Sequence, residues 1–193
     1  KIQHIENDGP FDEIRNRFFT GEARVSADYW EIVKKLLPDE LEFTARQKRN
    51  AKDVVNSMLN YGYGILYQRV WDAVIMAGLN PNISYLHSFQ NKKPTLVFDV
   101  IEEFRQALVD RPLFSLMTKG KKHRKFKVDP KSGLLDTYTR QTVLENVLNR
   151  LSTLINFRGG KVQAGEIIRF QIKNMAAYIS GKAKGYRPFI ATY

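Results

Sequence analysis

The chain has 193 residues, 43% of them hydrophobic, which is enough for one good core and a small appendage. Its 31 Lys and Arg against 20 Asp and Glu leave a formal charge of +11, which favours a polyanionic partner; nucleic acid ranks before a membrane, because no segment sets a sustained basic face against a strong apolar one. The absence of Cys excludes disulfides and thiolate metal sites, and no apolar run approaches the roughly 20 residues that cross a bilayer.

In chain order, residues 1–18 read as a lead-in. Glu22 opens a predicted helix to about Leu37, with Val25, Tyr29, Ile32, Val33, Leu36 and Leu37 at three-to-four spacing and Pro38 as its stop, so Glu22 is expected on the first turn. The basic residues Arg46, Lys48, Arg49 and Lys52 lead into a long helix, roughly Ala51 to Ala77, ended by Gly78 and Pro81. Gly62 and Gly64 inside it each cost about 1 kcal/mol against Ala, and tight helix packing is the expected return. Tyr61 and Tyr63 read as core residues.

Asp99, Glu102 and Glu103 stand at i, i+3 and i+4 among Val97, Val100, Ile101, Phe104 and Leu108, so the carboxylates are expected on one side of a helix that breaks at Pro112. His87 lies 12 residues before Asp99 (99 minus 87), across a stretch of Gln90, Asn91, Lys92, Lys93 and Pro94 that reads as a loop able to return the imidazole to the carboxylates. Such a mixed oxygen and nitrogen site suits Mg²⁺ or Mn²⁺. The ordinary alternative is a solvated acidic face beside a structural histidine.

The run Lys119 to Lys127 holds six Lys or Arg among nine residues, and Lys121, Lys122, Arg124 and Lys125 are candidate DNA-backbone contacts together with Arg46, Lys48 and Arg49. His123, inside the run, is expected to face phosphate rather than a metal. Two further helices, about Leu134 to Asn156 and Lys161 to Ser180, are expected to join through Arg158, Gly159 and Gly160, and residues 184–193 form an aperiodic tail. No P-loop and no Ser-His-Asp pattern is present.

Four segments taken together, G-E-A-R-V-S-A-D-Y-W around Glu22, N-Y-G-Y from Asn60 to Tyr63, Y-L-H ending at His87, and L-V-F-D-V-I-E-E-F-R, resemble the Cas-one family of CRISPR adaptation integrases, from about Phe19 to the R-P-F at Arg187 to Phe189. The resemblance implies an all-α multi-helix catalytic bundle. It makes Glu22, His87 and Glu102 the ligands of a catalytic Mg²⁺ or Mn²⁺, with Asp99 as an outer or alternative ligand. Ala23, Ala27, Ser84 and Gln106 depart from the family pattern without removing a ligand.

The implied activity is metal-dependent DNA endonuclease and strand-transfer chemistry that inserts new spacers into a CRISPR array. The implied partners are DNA (spacer precursor and repeat), a second copy in a homodimer, and the bridging protein Cas-two, in a prokaryotic cytoplasm. The family's N-terminal β-rich domain has no counterpart in these residues. The sequence therefore reads as the catalytic domain alone and leaves a fused or associated reverse transcriptase open. A transposon integrase with the same chemistry and a non-catalytic helical DNA-binding protein are the alternatives.

Overall fold

A computed structural model describes residues 11–83 and 93–191, in the order α1 (Phe11–Leu36), α2 (Val54–Met76), α3 (Thr95–Arg105), a π-helical turn (Gln106–Asp110), α4 (Arg111–Thr118), α5 (Thr137–Ser152), β1 (Leu154–Phe157), β2 (Gly160–Gln163) and α6 (Ala164–Ile179). The expected helical bundle is present, with one two-stranded hairpin among the described residues. Helix α2 is its axis, packed by α3, α5, α6 and the π turn. Its Val55, Met58, Leu59, Leu66 and Val70 are fully buried, and Asp53 caps its start by accepting from the Asn56 N–H at 2.8 Å.

The structure revises several boundaries. Helix α1 begins at Phe11, so Glu22 sits mid-helix rather than on the first turn. The inward face of α1 near its C-terminal end carries Tyr29, Trp30 and Val33; the buried Leu37 follows directly, and Pro38 comes next. Pro112 does not break the helix but sits in the first turn of α4, immediately after the π turn. The Arg111 N–H donates to Gln106 O, five residues back, and a continued π ladder would next pair residue 112 with Ala107 O. Pro112 has no N–H to give; Arg150 Nε donates to Ala107 O instead, at 3.0 Å.

The expected junction between the last two helices is a β-hairpin. Leu154, Ile155, Asn156 and Phe157 pair with Gln163, Val162, Lys161 and Gly160. Arg158 (φ 51°) and Gly159 (φ 85°) form the two-residue turn with positive φ at both positions, the geometry that matches strand twist. Helix α5 accordingly ends at Ser152 and α6 starts at Ala164.

The two glycines of α2 differ. A Cβ on Gly62 would lie 2.8 Å from Val109 Cγ1 and 3.2 Å from Leu113 Cδ1, so close packing explains it; a Cβ on Gly64 would meet nothing within 4 Å, and packing does not explain it. Gly64→Ala is expected to raise the unfolding free energy by about 1 kcal/mol. Gly62→Ala is expected to lower it by about 1 kcal/mol, because Val109, Leu113 and Val147 are fully buried and leave the methyl no room. Urea unfolding of the two variants checks both signs.

Candidate active site

Helix α1 brings Glu22, Ser26 and Tyr29 to one cleft, and α3 with the π turn brings Glu102, Arg105, Gln106 and Asp110 to it from the other side. Glu22, Ser26 and Tyr29 are spaced at i, i+4 and i+7, which puts them on one face of α1. The cleft holds about 150 Å³, room for a small ion with a few waters. Glu22 and Glu102 are both exposed at it.

The carboxylates of α3 do not act as one group. Glu102 turns to the cleft, where Arg105 Nη1 donates to its Oε1. Glu103 turns to the opposite side and accepts from Gln171 Nε2 at 2.6 Å, from the Tyr186 hydroxyl at 2.6 Å and from the Phe189 N–H. Asp99 borders an apolar pocket beside Val100, Met175 and Tyr178 on that same α6 side. One residue step is 100° around a helix, so adjacent glutamates cannot share a face. The expected common side holds for neither Glu103 nor Asp99 at this cleft.

Asp110 lies beneath the cleft, only 2% exposed. The Tyr29 hydroxyl donates to its Oδ2 at 2.8 Å and the Tyr63 hydroxyl donates to its Oδ1. Arg105 lies over the Tyr63 ring with its guanidinium carbon 4.1 Å from the centroid, and Arg46 approaches the same ring at 5.2 Å and Trp30 at 5.7 Å. Burial pushes the Asp110 carboxyl above the usual aspartate range, against the opposing pull of the two hydroxyls and the two guanidiniums. Burial, with the Asp110 charge behind it, raises the Tyr63 hydroxyl well above its ordinary value, so it remains a donor. Sequence reasoning missed Asp110. The available signal was an acid in the apolar run Ala107-Leu108-Val109, directly before Arg111 and Pro112.

The basic residues divide by environment. Arg46 is drawn into the fold: it donates to Asn56 Oδ1 at 2.9 Å and to Asn60 Oδ1 at 2.6 Å, whereas Lys48 and Arg49 are exposed. Lys121, Lys122 and Lys125 are exposed as expected, and Arg124 pairs with Glu40 at 3.2 Å on the surface. His123 is buried at 7% exposure and does not face solvent as a phosphate contact would, because the short 3-10 turn Lys122–Lys125 folds its ring inward.

His87 lies outside the described residues. Among the described residues, no three His, Cys, Asp or Glu side chains come together closely enough to hold a metal. The donors at the cleft are the carboxylates of Glu22 and Glu102, hard oxygen ligands of the kind Mg²⁺ and Mn²⁺ take, and they fit such an ion with further ligands still to be supplied.

A solved structure described as a casposase bound to integration product superposes with a TM-score of 0.81 at 24% identity, over 89% of this chain and 50% of that one. A Cas6-RT-Cas1–Cas2 complex superposes with a TM-score of 0.75 at 21% identity, over 91% of this chain and 20% of the other. The bundle therefore has a fold found in both of these chains. The family described as CRISPR associated protein Cas1 matches residues 2–149, and a CRISPR-associated endonuclease Cas1 of Archaeoglobus fulgidus is 32% identical over 190 residues, 93% of this chain and 54% of that protein. The chain belongs to the CRISPR-associated Cas1 family, and it spans about half the length of that curated relative.

Asp110 ties stability to pH. With its folded pKa raised above the ordinary 3.8, its contribution is fully present below that value and is lost as pH rises through the folded pKa. Asp110→Asn is expected to remove that part of the slope, so the stability difference between wild type and variant shrinks or reverses from about pH 4 upward. Urea midpoints taken from pH 3 to pH 8 on both proteins check it.

Proposed function

We propose that the protein is a CRISPR adaptation integrase that joins DNA by metal-dependent phosphodiester exchange, with Glu22, His87 and Glu102 holding a Mg²⁺ or Mn²⁺ ion; Asp99, on the α6 side of α3, is left out of the ligand set. The observation that carries this reading is the convergence of Glu22 and Glu102 on one cleft from helices α1 and α3, in a chain of the Cas1 family. When bound, the ion would lower the pKa of the attacking 3′-hydroxyl, neutralise the phosphate and stabilise the departing oxygen.

The chain's own residues have separable tasks. Glu22 and Glu102 supply negative charge on opposite walls of the cleft and would leave coordination positions open for DNA oxygens. Arg105 holds Glu102 by its guanidinium while resting on Tyr63, so the carboxylate is oriented before any ligand arrives. His87 must be neutral to coordinate. Lys48, Arg49, Lys121, Lys122 and Lys125 supply phosphate contacts outside the cleft, with Arg124 joining them when it leaves Glu40. Isoenergetic exchange of phosphodiesters needs no nucleotide hydrolysis, which agrees with a sequence that has no P-loop.

Inserting a fragment requires two joints, and one cleft serves one strand, so the reaction calls for at least a homodimer. Cas2 as bridging partner, and a fused or associated reverse transcriptase, are supported by the Cas6-RT-Cas1–Cas2 complex that shares this fold. Among the described residues no helix is long and apolar enough to cross a membrane, and a cytoplasmic location belongs to the same proposal. The casposase likeness keeps a transposon integrase with the same chemistry as the second reading.

Strand transfer of a labelled DNA fragment into supercoiled plasmid, with and without Mn²⁺, tests the proposal. Wild type is expected to join DNA only with the ion, and Glu22→Ala, His87→Ala and Glu102→Ala are each expected to lower the rate at least about 100-fold while keeping DNA affinity within about threefold, since phosphate contacts supply the affinity. Metal-independent joining, or DNA binding with no joining under either condition, would contradict it; the latter is the behaviour of a non-catalytic DNA-binding protein.

A further inference from the structure

On the far side of α3 from the Glu22 and Glu102 cleft, the C-terminal segment closes a much larger space against the hairpin and α6. The segment is held firmly. Gln171, only 1% exposed, donates to Arg187 O at 2.9 Å and to Glu103 Oε1 at 2.6 Å; the Tyr186 hydroxyl donates to Glu103 Oε2 at 2.6 Å. Phe189 is buried and stacks on Phe104 with ring centroids 6.0 Å apart. These contacts fix the wall of a cavity of about 1160 Å³, ample for a nucleotide or more.

The lining chemistry narrows the occupant. Arg158, Lys184 and Arg187 contribute three cations, and among the described residues no carboxylate lines the cavity, since Glu103 is spent beneath it on the segment itself. Arg158 is held at the hairpin turn: its guanidinium carbon lies 5.1 Å from the Phe157 ring centroid, and Nη2 donates to Gln171 Oε1 at 3.2 Å. Arg158 is otherwise exposed at the turn, where its planar guanidinium can offer a stacking surface to a base. Asn174 adds a buried Nδ2 with no hydrogen-bond partner in the fold, an unspent donor in the wall, and Asn156 adds a second amide.

We propose that this cavity between the hairpin, α6 and the C-terminal segment binds a nucleotide of single-stranded nucleic acid, its base on the Arg158 guanidinium and against the Asn174 amide, its phosphates on Lys184 and Arg187. Cations with no opposing acid among the described residues, a planar platform and an unspent amide donor together suit a single-strand subsite. Helix α3 links the two places: Glu102 faces the cleft, and the consecutive Glu103 clamps the segment that walls the cavity. The inference rests on the reading of the protein as one that handles nucleic acid, but not on metal chemistry.

The test uses the intact protein and a single-stranded oligodeoxynucleotide carrying 5-iododeoxyuridine, with affinity from anisotropy and the photocrosslink mapped by mass spectrometry. The variants are Arg158→Asn, which suits a turn position of positive φ, and Arg187→Gln, which leaves the bonded backbone carbonyl in place. Wild type is expected to crosslink within residues 156–159 or 183–190, and each variant to bind the strand about fivefold or more weakly with its melting temperature kept. Affinity unchanged in both variants, no binding by wild type, or crosslinks confined to other segments would overturn the inference. Strand transfer of a blunt duplex by the same proteins is read separately: unchanged single-strand affinity in both variants with transfer intact rejects this cavity alone, and absence of transfer by wild type rejects the integrase reading alone.

Discussion

The buried carboxylate of Asp110 ties the candidate site together. Its two oxygens take the hydroxyls of Tyr29 on α1 and Tyr63 on α2, so one side chain from the π turn spans the helix that bears Glu22 and the central helix of the bundle. An ionisable group with 2% exposure is unfavourable unless its hydrogen bonds are made, and the geometry that makes them sets how closely α1 approaches α3. Near its C-terminal end α1 turns Tyr29, Trp30 and Val33 inward, while Val25, Ile32 and Leu36 stay exposed. The cleft wall formed by α1 is thus held by this polar contact together with the packing of Trp30 on Phe43 and Phe114.

The same turn explains how two sites sit on opposite sides of one helix. Pro112 demands an irregular helix, the π turn supplies it, and Arg150 accounts for the carbonyl that the proline leaves without a partner. Within the turn Asp110 lies under Glu102 and Arg105, while Leu108 and Val109, with Leu113 of α4, fill the core. Upstream, the 100° step between Glu102 and Glu103 sends one carboxylate to the cleft and the other to the C-terminal segment. Two neighbouring glutamates thus do unrelated work: one remains open to a ligand and the other is saturated by three donors.

Much of the bundle was legible in the sequence: helical periodicity is strong where a helix buries one face, as in α3, and α2 showed as a long apolar stretch ended by Gly78 and Pro81. The motifs around Glu22 and Glu102 led to the family and to two residues that share a cleft. Three features were not legible, each for a physical reason. The hairpin at Leu154 to Gln163 consists of two four-residue strands, too short for alternation to stand out against the flanking helices, although Arg158-Gly159-Gly160 carried the turn signal. Pro112 read as a break because a π turn has no composition of its own. Asp110 and the inward turn of His123 depend on contacts between distant segments, which no local pattern encodes; Tyr29 lies 81 residues from Asp110.

The proposed shared cation at Glu22 and Glu102 is tested most directly by Mn²⁺ titration followed by electron paramagnetic resonance, on the wild-type protein and on Glu22→Gln and Glu102→Gln, without DNA. One saturable ion per chain is expected in the wild type, with affinity at least about tenfold lower in each variant and the fold kept, since each Gln preserves size while removing the charge. Equal Mn²⁺ affinity in all three proteins would contradict a shared ion at this cleft and leave the two carboxylates as a solvated pair.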